Sequence, residues 1–438
     1  MKNLGRREFM AGAGALAASV VGSDVASAFS PRHRGPAVRS GFGRTGIDRL
    51  SLFPASVRAD FPSVSLETYL NSAAMHPLGT FAAKAMDSVV QFRLHGAGEG
   101  RADFGVDKQN DLKAKYGALI NAKASEIAYT ANTTDGENIV VMGLDLARKP
   151  GPSTGLKPSN IVIDELHFTS SLYMYKELEK QGVELRIVKH RNWAIDPTDM
   201  DRVIDRNTRL VSLALVSNVN GFMHDCKAVS AIAHARGAYV FADIIQAVGA
   251  VPVDVKALGI DFASAGTYKW LMGERGIGFL YVREDLQGSV LPTTRYGHRQ
   301  VANFNRADLT WEPLPGAAKY ETGGIPVLLA AGVSAGIDYV NTLGLPNIRT
   351  HARQLTDRLQ KELPPLGYTP LTPAGTETPT LAFSLKDAAT TQKRLHDGKV
   401  AGTIIANESR LRLAVSVFNT HEDIDRVVAV LGGKPSSL

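Results

Sequence analysis

The hydrophobic pattern of this chain switches repeatedly between two periods. Apolar runs at Ile127-Ala128-Tyr129-Thr130, Ile161-Val162-Ile163, Leu185 to Val188, Leu210 to Val216 and Ala238 to Ala242 have the length of buried strands and are too short for helices. Between them, Gly136 to Ala147, Tyr173 to Gln181 and Val229 to Arg236 carry apolar residues at helical spacing. Gly182 and Gly237 directly follow the last two, where a residue free to take positive φ ends a helix. Strand–helix alternation of this kind predicts a mostly parallel sheet with helices on both faces. Further on, residues 328–361 read as a long helix followed by another around Asn347, and Arg410 to Thr420 alternates like a strand.

Composition narrows the class. At 438 residues and 44% hydrophobic, the chain has enough apolar material for two domains around a large core. The expected division is a large domain over 59–344, whose first segment contributes to a smaller C-terminal α+β domain over 345–438. The single cysteine, Cys226, excludes a disulfide framework and a thiolate metal site within one chain, and no metal is expected. No apolar run reaches the roughly 18 residues of a membrane-spanning helix. The net charge of +6 is local, because residues 29–58 hold six arginines against Asp48 alone. A basic arm on a neutral body does not predict nucleic-acid binding.

The N-terminus carries its own message. Gly5-Arg6-Arg7-Glu8-Phe9-Met10 precedes a run of small and apolar residues to Val21, then Ala26-Ser27-Ala28. Twin arginines, a mild hydrophobic region and an A-x-A site predict a twin-arginine signal peptide over 1–28. The implied partner is the twin-arginine export machinery, and the implied location is the periplasm. That pathway carries folded cargo, so a cofactor can be acquired before export. Residues 29–58, rich in Arg, Gly, Pro and Ser, read as a linker or an arm lying on a partner subunit.

Two stretches carry the candidate chemistry. Tyr239-Val240-Phe241-Ala242 ends on Asp243, which puts a carboxylate at a strand's C-terminal end, where open α/β sheets bind ligands. Ala263-Ser264-Ala265-Gly266-Thr267-Tyr268 leads to Lys269 among small and aromatic neighbours, where partial desolvation lowers a lysine's pKa and makes it a better nucleophile. Together they suggest pyridoxal 5'-phosphate. Lys269 would form the Schiff base and Asp243 would hold a proton on the pyridine nitrogen. The polar turn Asn132-Thr133-Thr134-Asp135, which starts a helix, both caps it and makes an anion site.

These stretches, with Val253-Asp254, Gly259-Ile260-Asp261-Phe262 and Gly276-Ile277-Gly278-Phe279-Leu280-Tyr281-Val282, resemble the class V aminotransferase family of fold-type I enzymes, from about Tyr69 to Val428. The family also holds cysteine desulfurases and isopenicillin N epimerase-like proteins. The resemblance implies a mostly parallel seven-stranded sheet flanked by helices, and a smaller C-terminal domain. It implies that Thr133 and Thr134 hold the cofactor phosphate and that Phe168 stacks on the pyridine ring, with His167 in that place if the register slips by one. Asn218, in Ser217-Asn218-Val219-Asn220-Gly221, would bond the ring 3-oxygen, with Gln246 reaching the same neighbourhood from the other side. Thr267 and Tyr268 stand where the family offers phosphate donors, since Gly266 lacks the expected hydroxyl. Glu321-Thr322-Gly323-Gly324-Ile325-Pro326 resembles the turn that reaches the neighbouring subunit's phosphate, which implies a homodimer with composite sites and leaves Gly324 only its backbone N–H. Asn71 and Arg412 are the implied substrate contacts, Arg412 offering a planar fork to a carboxylate.

The expected substrate is a small, amino-acid-like amine. Cys226 follows an Asn-Gly turn and begins a helix, so we expect no persulfide-forming cysteine desulfurase. Amino-group transfer is the first expectation, with epimerisation or β/γ-elimination as alternatives and a non-catalytic binding protein disfavoured. An export signal points to tailoring of a secreted product such as a siderophore or peptide.

Overall fold

In the computed structural model the described residues are 53–146 and 159–433. The predicted signal peptide and most of the predicted arm therefore lie outside them. The predicted alternation is present. Seven strands, β1 (Ile127–Thr130), β2 (Asn160–Asp164), β3 (Glu184–Val188), β4 (Thr208–Ala214), β5 (Tyr239–Asp243), β6 (Phe262–Gly266) and β7 (Gly278–Val282), form one sheet in the order β1-β7-β6-β5-β4-β2-β3. All pairings are parallel except the two made by β7. The crossovers are long enough for helices wherever neighbours run parallel, whereas β6 and β7 are joined by a loop, which reverses direction.

Burial explains why the strands lack polar alternation. Val240 and Ala242 of β5 pack into one core while Phe241 packs into another on the opposite face. A sheet covered on both faces needs apolar residues at every position. Helices that cover or approach it include α1 (Thr80–His95), α2 (Val106–Leu119), α3 (Thr133–Gly143), α4 (Thr169–Lys180) and α5 (Cys226–Ala235). Gly182 and Gly237 take φ of 97° and 78°, as their places after helices predict. Helix α3 begins earlier than its apolar spacing suggests, because Asn132 caps it by accepting from Asp135 N–H.

Beyond the large sheet, the two helices of the pattern are α6 (Val327–Leu343) and α7 (Leu345–Glu362), separated at Gly344 with φ of 79°. A second sheet of β8 (Thr369–Pro370), β9 (Thr380–Ser384), β10 (Thr403–Ile405) and β11 (Arg410–Ala414) runs antiparallel in the order β8-β9-β11-β10. Its core is shared with α7, α8 (Ala388–Asp397) and α9 (His421–Leu431). The strand predicted to reach Thr420 stops at Ala414, because its partner β9 begins at Thr380, opposite Ala414. The segment after it turns instead, with Asn419 Oδ1 accepting from Ser416 N–H. Thr68–Tyr69 pairs in parallel with Val400–Ala401. Phe53 and Val57 are buried, and Arg58 pairs with Asp423 at 2.7 Å.

Candidate active site

The C-terminal ends of β4 and β5, the start of α3 and the loop after β6 surround a cavity of about 660 Å³. Asp243 and Lys269 both line it. Asp243 is the last residue of β5, and its Oδ1 accepts from Ile245 N–H at 3.0 Å. Burial pushes its carboxyl up to about 6, against the opposing pull of that N–H and of Lys269. Burial likewise lowers Lys269 to about 8, with Asp243 opposing and Arg412 adding to the fall. Its Nζ lies 5.8 Å from the Phe168 ring centroid and 5.7 Å from that of Tyr268. Near neutral pH such a lysine is partly uncharged, the state a nucleophile or base requires.

The structure separates Phe168 from His167. Phe168 precedes α4 and lines the cavity. His167 turns into the core, where its Nε2 lies 3.0 Å from Ser212 Oγ and its Nδ1 accepts from Phe168 N–H. Burial holds it near 4, so it stays neutral. Asn218 also lines the cavity, and its Oδ1 is buried with no partner. Gln246 lines it too, but its amide is largely committed: Nε2 donates to Ala73 O at 2.9 Å and Oε1 accepts from Trp270 Nε1 at 3.0 Å. It braces the wall more than it offers a free group.

Thr133 and Thr134 open α3 at one end of the cavity, where first-turn amides have no partner inside the helix. Their hydroxyl oxygens also make local bonds. Thr133 Oγ1 accepts from Gly266 N–H at 2.9 Å, tying α3 to β6, and Thr134 Oγ1 lies 2.9 Å from Ser170 Oγ. Tyr268 lines the cavity beside them.

Four of the expected residues lie elsewhere. Thr267 is fully buried and does not line the cavity; its hydroxyl donates to Glu274 O at 2.8 Å and fastens the loop before β7. Gly324 lies in an adjoining cavity of about 220 Å³ with Arg295 and Glu321, not in the one that holds Lys269. Asn71 and Arg412 stand one layer out. Arg412 Nη1 donates to Asn218 O at 2.8 Å, and Thr403 Oγ1 donates to Asn71 Oδ1 at 2.6 Å. Burial lowers Arg412 to about 10, and its Nε has no partner. The sequence reading also missed Ser170 and Arg275, and a buried carboxyl at Glu137. Arg275 sits inside the quoted Gly273–Gly278 stretch, but nothing in a glycine-rich loop announces which cavity its arginine meets.

Pyridoxal phosphate fits the residues present. A buried acid, a buried lysine near the Phe168 ring, a helix start and the orphaned Asn218 oxygen all line the one cavity.

Comparisons with known proteins sharpen the picture. The description "Aminotransferase class-V" matches residues 102–427. A probable cysteine desulfurase of Methanothermobacter thermautotrophicus is 31% identical over 309 residues, 69% of this chain and 74% of that protein. A cysteine desulfurase of Escherichia coli is 28% identical over 415 residues, 86% of this chain and 96% of that one. The solved structure of a cysteine desulfurase from Thermococcus onnurineus superposes with a TM-score of 0.75 at 22% identity, covering 87% of this chain and 97% of that one.

These relatives overturn two expectations: amino-group transfer or epimerisation as the reaction, and the exclusion of a cysteine desulfurase. The exclusion rested on Cys226. The structure does bury that residue at the start of α5, with its thiol raised to about 11. But carbon–sulfur cleavage by elimination needs no protein thiol, so a buried cysteine does not by itself exclude it. Lysine, acid and ring pocket are common to transfer, epimerisation and carbon–sulfur cleavage, so they could not favour the first two. By the extent of its match and by this site, the chain belongs to the aminotransferase class-V family of pyridoxal-phosphate enzymes.

Proposed function

We propose that this protein cleaves the carbon–sulfur bond of cysteine or a close relative of it, the activity named in its cysteine desulfurase relatives. What carries this reading is the match to those relatives, 28% identical over 86% of this chain in one case, joined to a cavity that a buried lysine and a buried acid share. Lys269 would hold the cofactor through Nζ, Asp243 would serve the ring nitrogen, Phe168 the ring face, and the Asn218 amide would donate to the ring oxygen. Bound there, pyridoxal phosphate supplies an electron sink conjugated to the substrate α-carbon. The Lys269 amine would act as the general base that moves the proton at that carbon, and the Asp243 carboxylate would hold a proton on the ring nitrogen. Arg412, behind Asn218 and with a free Nε, is the cation for the substrate carboxylate.

Two further elements belong to this proposal. The protein is a homodimer in which the Gly323-Gly324 turn meets the partner's cofactor end, supported by its openness: a Cβ built at either glycine would touch nothing within 4 Å. It is exported to the periplasm, supported by the twin-arginine pattern before Ala28.

The test is to incubate the cofactor-loaded protein with cysteine in the presence of a reductant. Sulfide together with alanine or pyruvate is expected, and Lys269→Ala should release none. Consumption of the amino group with all sulfur retained on the carbon skeleton would sink the reading.

A further inference from the structure

The phosphate of the cofactor carries close to two negative charges at neutral pH, and a charge taken into a cavity needs a partner. Charged side-chain donors at that end are scarce. Gly266 has no side chain, Thr267 is turned away, and Thr133 and Thr134 offer only neutral hydroxyls, the first already accepting from Gly266 N–H and the second bonded with Ser170. Asp135 adds a carboxylate at the start of α3, but it is paired with Arg295.

Only two cations line the cavity among the described residues, Lys269 and Arg275. Lys269 faces Asp243 and is consumed in holding the cofactor's aldehyde carbon. Arg275 makes no ion pair among the described residues, and its guanidinium carbon lies 5.4 Å from the Tyr268 ring centroid. The surrounding contacts put it at the phosphate end. Thr133 holds Gly266, a Cβ on Gly266 would lie 3.1 Å from the Tyr268 ring, and a Cβ on Gly278 would lie 3.2 Å from Asn132 Cα. The loop bearing Arg275 thus passes beside the first turn of α3. Gly276, at φ 99°, turns the chain directly after Arg275 into β7.

We propose that Arg275, lying over the face of Tyr268, is the cationic partner of the cofactor phosphate in place of the hydroxyls that Gly266 and Gly324 lack. A guanidinium suits this task because it stays charged and offers paired N–H donors to phosphate oxygens. Tyr268 then serves as a platform that orients Arg275 through a cation–π contact. The inference rests on the reading that the cavity holds pyridoxal phosphate.

The experiment titrates the cofactor-free full-length protein with pyridoxal phosphate and separately with pyridoxal, which lacks the phosphate, following the visible absorbance of the lysine-bound form. Inorganic phosphate serves as a competitor. Arg275→Gln is expected to weaken pyridoxal phosphate by about tenfold to a hundredfold. Pyridoxal affinity should stay within about twofold, and competition by inorganic phosphate should fade. Arg275→Lys should recover part of the loss, having the charge without the fork. Unchanged pyridoxal phosphate affinity in Arg275→Gln would overturn the assignment, and so would an equal loss for both compounds. If the unaltered protein bound neither compound, the cofactor reading itself would fail, which is a different result.

Discussion

Glu137 offers the sharpest test of the electrostatics beneath the site. It lies on α3, fully buried, and accepts from Ser171 Oγ at 2.6 Å, Tyr175 OH at 2.9 Å and Ser212 Oγ at 3.0 Å. No cation pairs with it among the described residues, and the neutral His167 is 3.8 Å away. Burial pushes its carboxyl from 4.5 up to about 7, with Asp243 adding to the rise and the three hydroxyls opposing it. A folded-state pKa above the unfolded one means the native protein holds the proton longer. Stability is therefore present below about 4.5 and is lost as pH rises through about 7. At about 1.4 kcal/mol per tenfold change, the full loss is roughly 3 kcal/mol, most of it falling between pH 5 and 8. Glu137→Gln removes the titration but keeps an oxygen for Tyr175 and Ser212, and Ser171 can rotate to accept from the new amide. A pH-independent cost of ~1 kcal/mol is expected for that exchange. The variant should thus be less stable than the parent at pH 5 and gain about 2 kcal/mol relative to it by pH 8. Asp243 is present in both proteins, so its own titration cancels apart from its repulsion with Glu137. Urea denaturation of the full chain at the two pH values, followed by tryptophan fluorescence, measures the difference. A stability difference that is the same at both pH values would refute the reasoning, because Glu137 would then carry the same charge folded and unfolded.

Three other outcomes are expected. Lys269→Ala should abolish the visible absorbance of the bound cofactor and lower sulfide release by at least ~10³-fold, as loss of both anchor and base implies; retained turnover in a stopped assay would exclude Lys269 as the catalytic group. Arg412→Gln should raise KM for cysteine about tenfold or more while leaving the absorbance of the resting protein in place, since one charge-assisted contact is removed; an unchanged KM would leave the carboxylate to another group. Cys226→Ala should retain sulfide release within about twofold, because a buried thiol raised to about 11 is a poor sulfur acceptor; a tenfold loss with the fold intact by circular dichroism would put Cys226 in the sulfur path.

How much was legible beforehand depends on whether a residue's role is local. The strand runs at Ile161, Leu210 and Ala238, the stops at Gly182 and Gly237 and the end of β5 at Asp243 follow from periodicity and backbone freedom within a few residues. The same holds for Lys269 among small and aromatic neighbours, which foreshadowed its burial. Tertiary structure alone decided which of two adjacent residues met the cavity. Phe168 and His167 differ by one position, and the histidine turns inward to Ser212 while the phenylalanine lines the cavity. It also turned Thr267 away toward Glu274 O, set Arg412 behind Asn218, and brought Arg275 beside a helix start well over a hundred residues earlier. The physical reason is that propensity and period are read along the chain. Desolvation and charge pairing are set by atoms that are close only after folding, and these fix which groups face a ligand and in which protonation state.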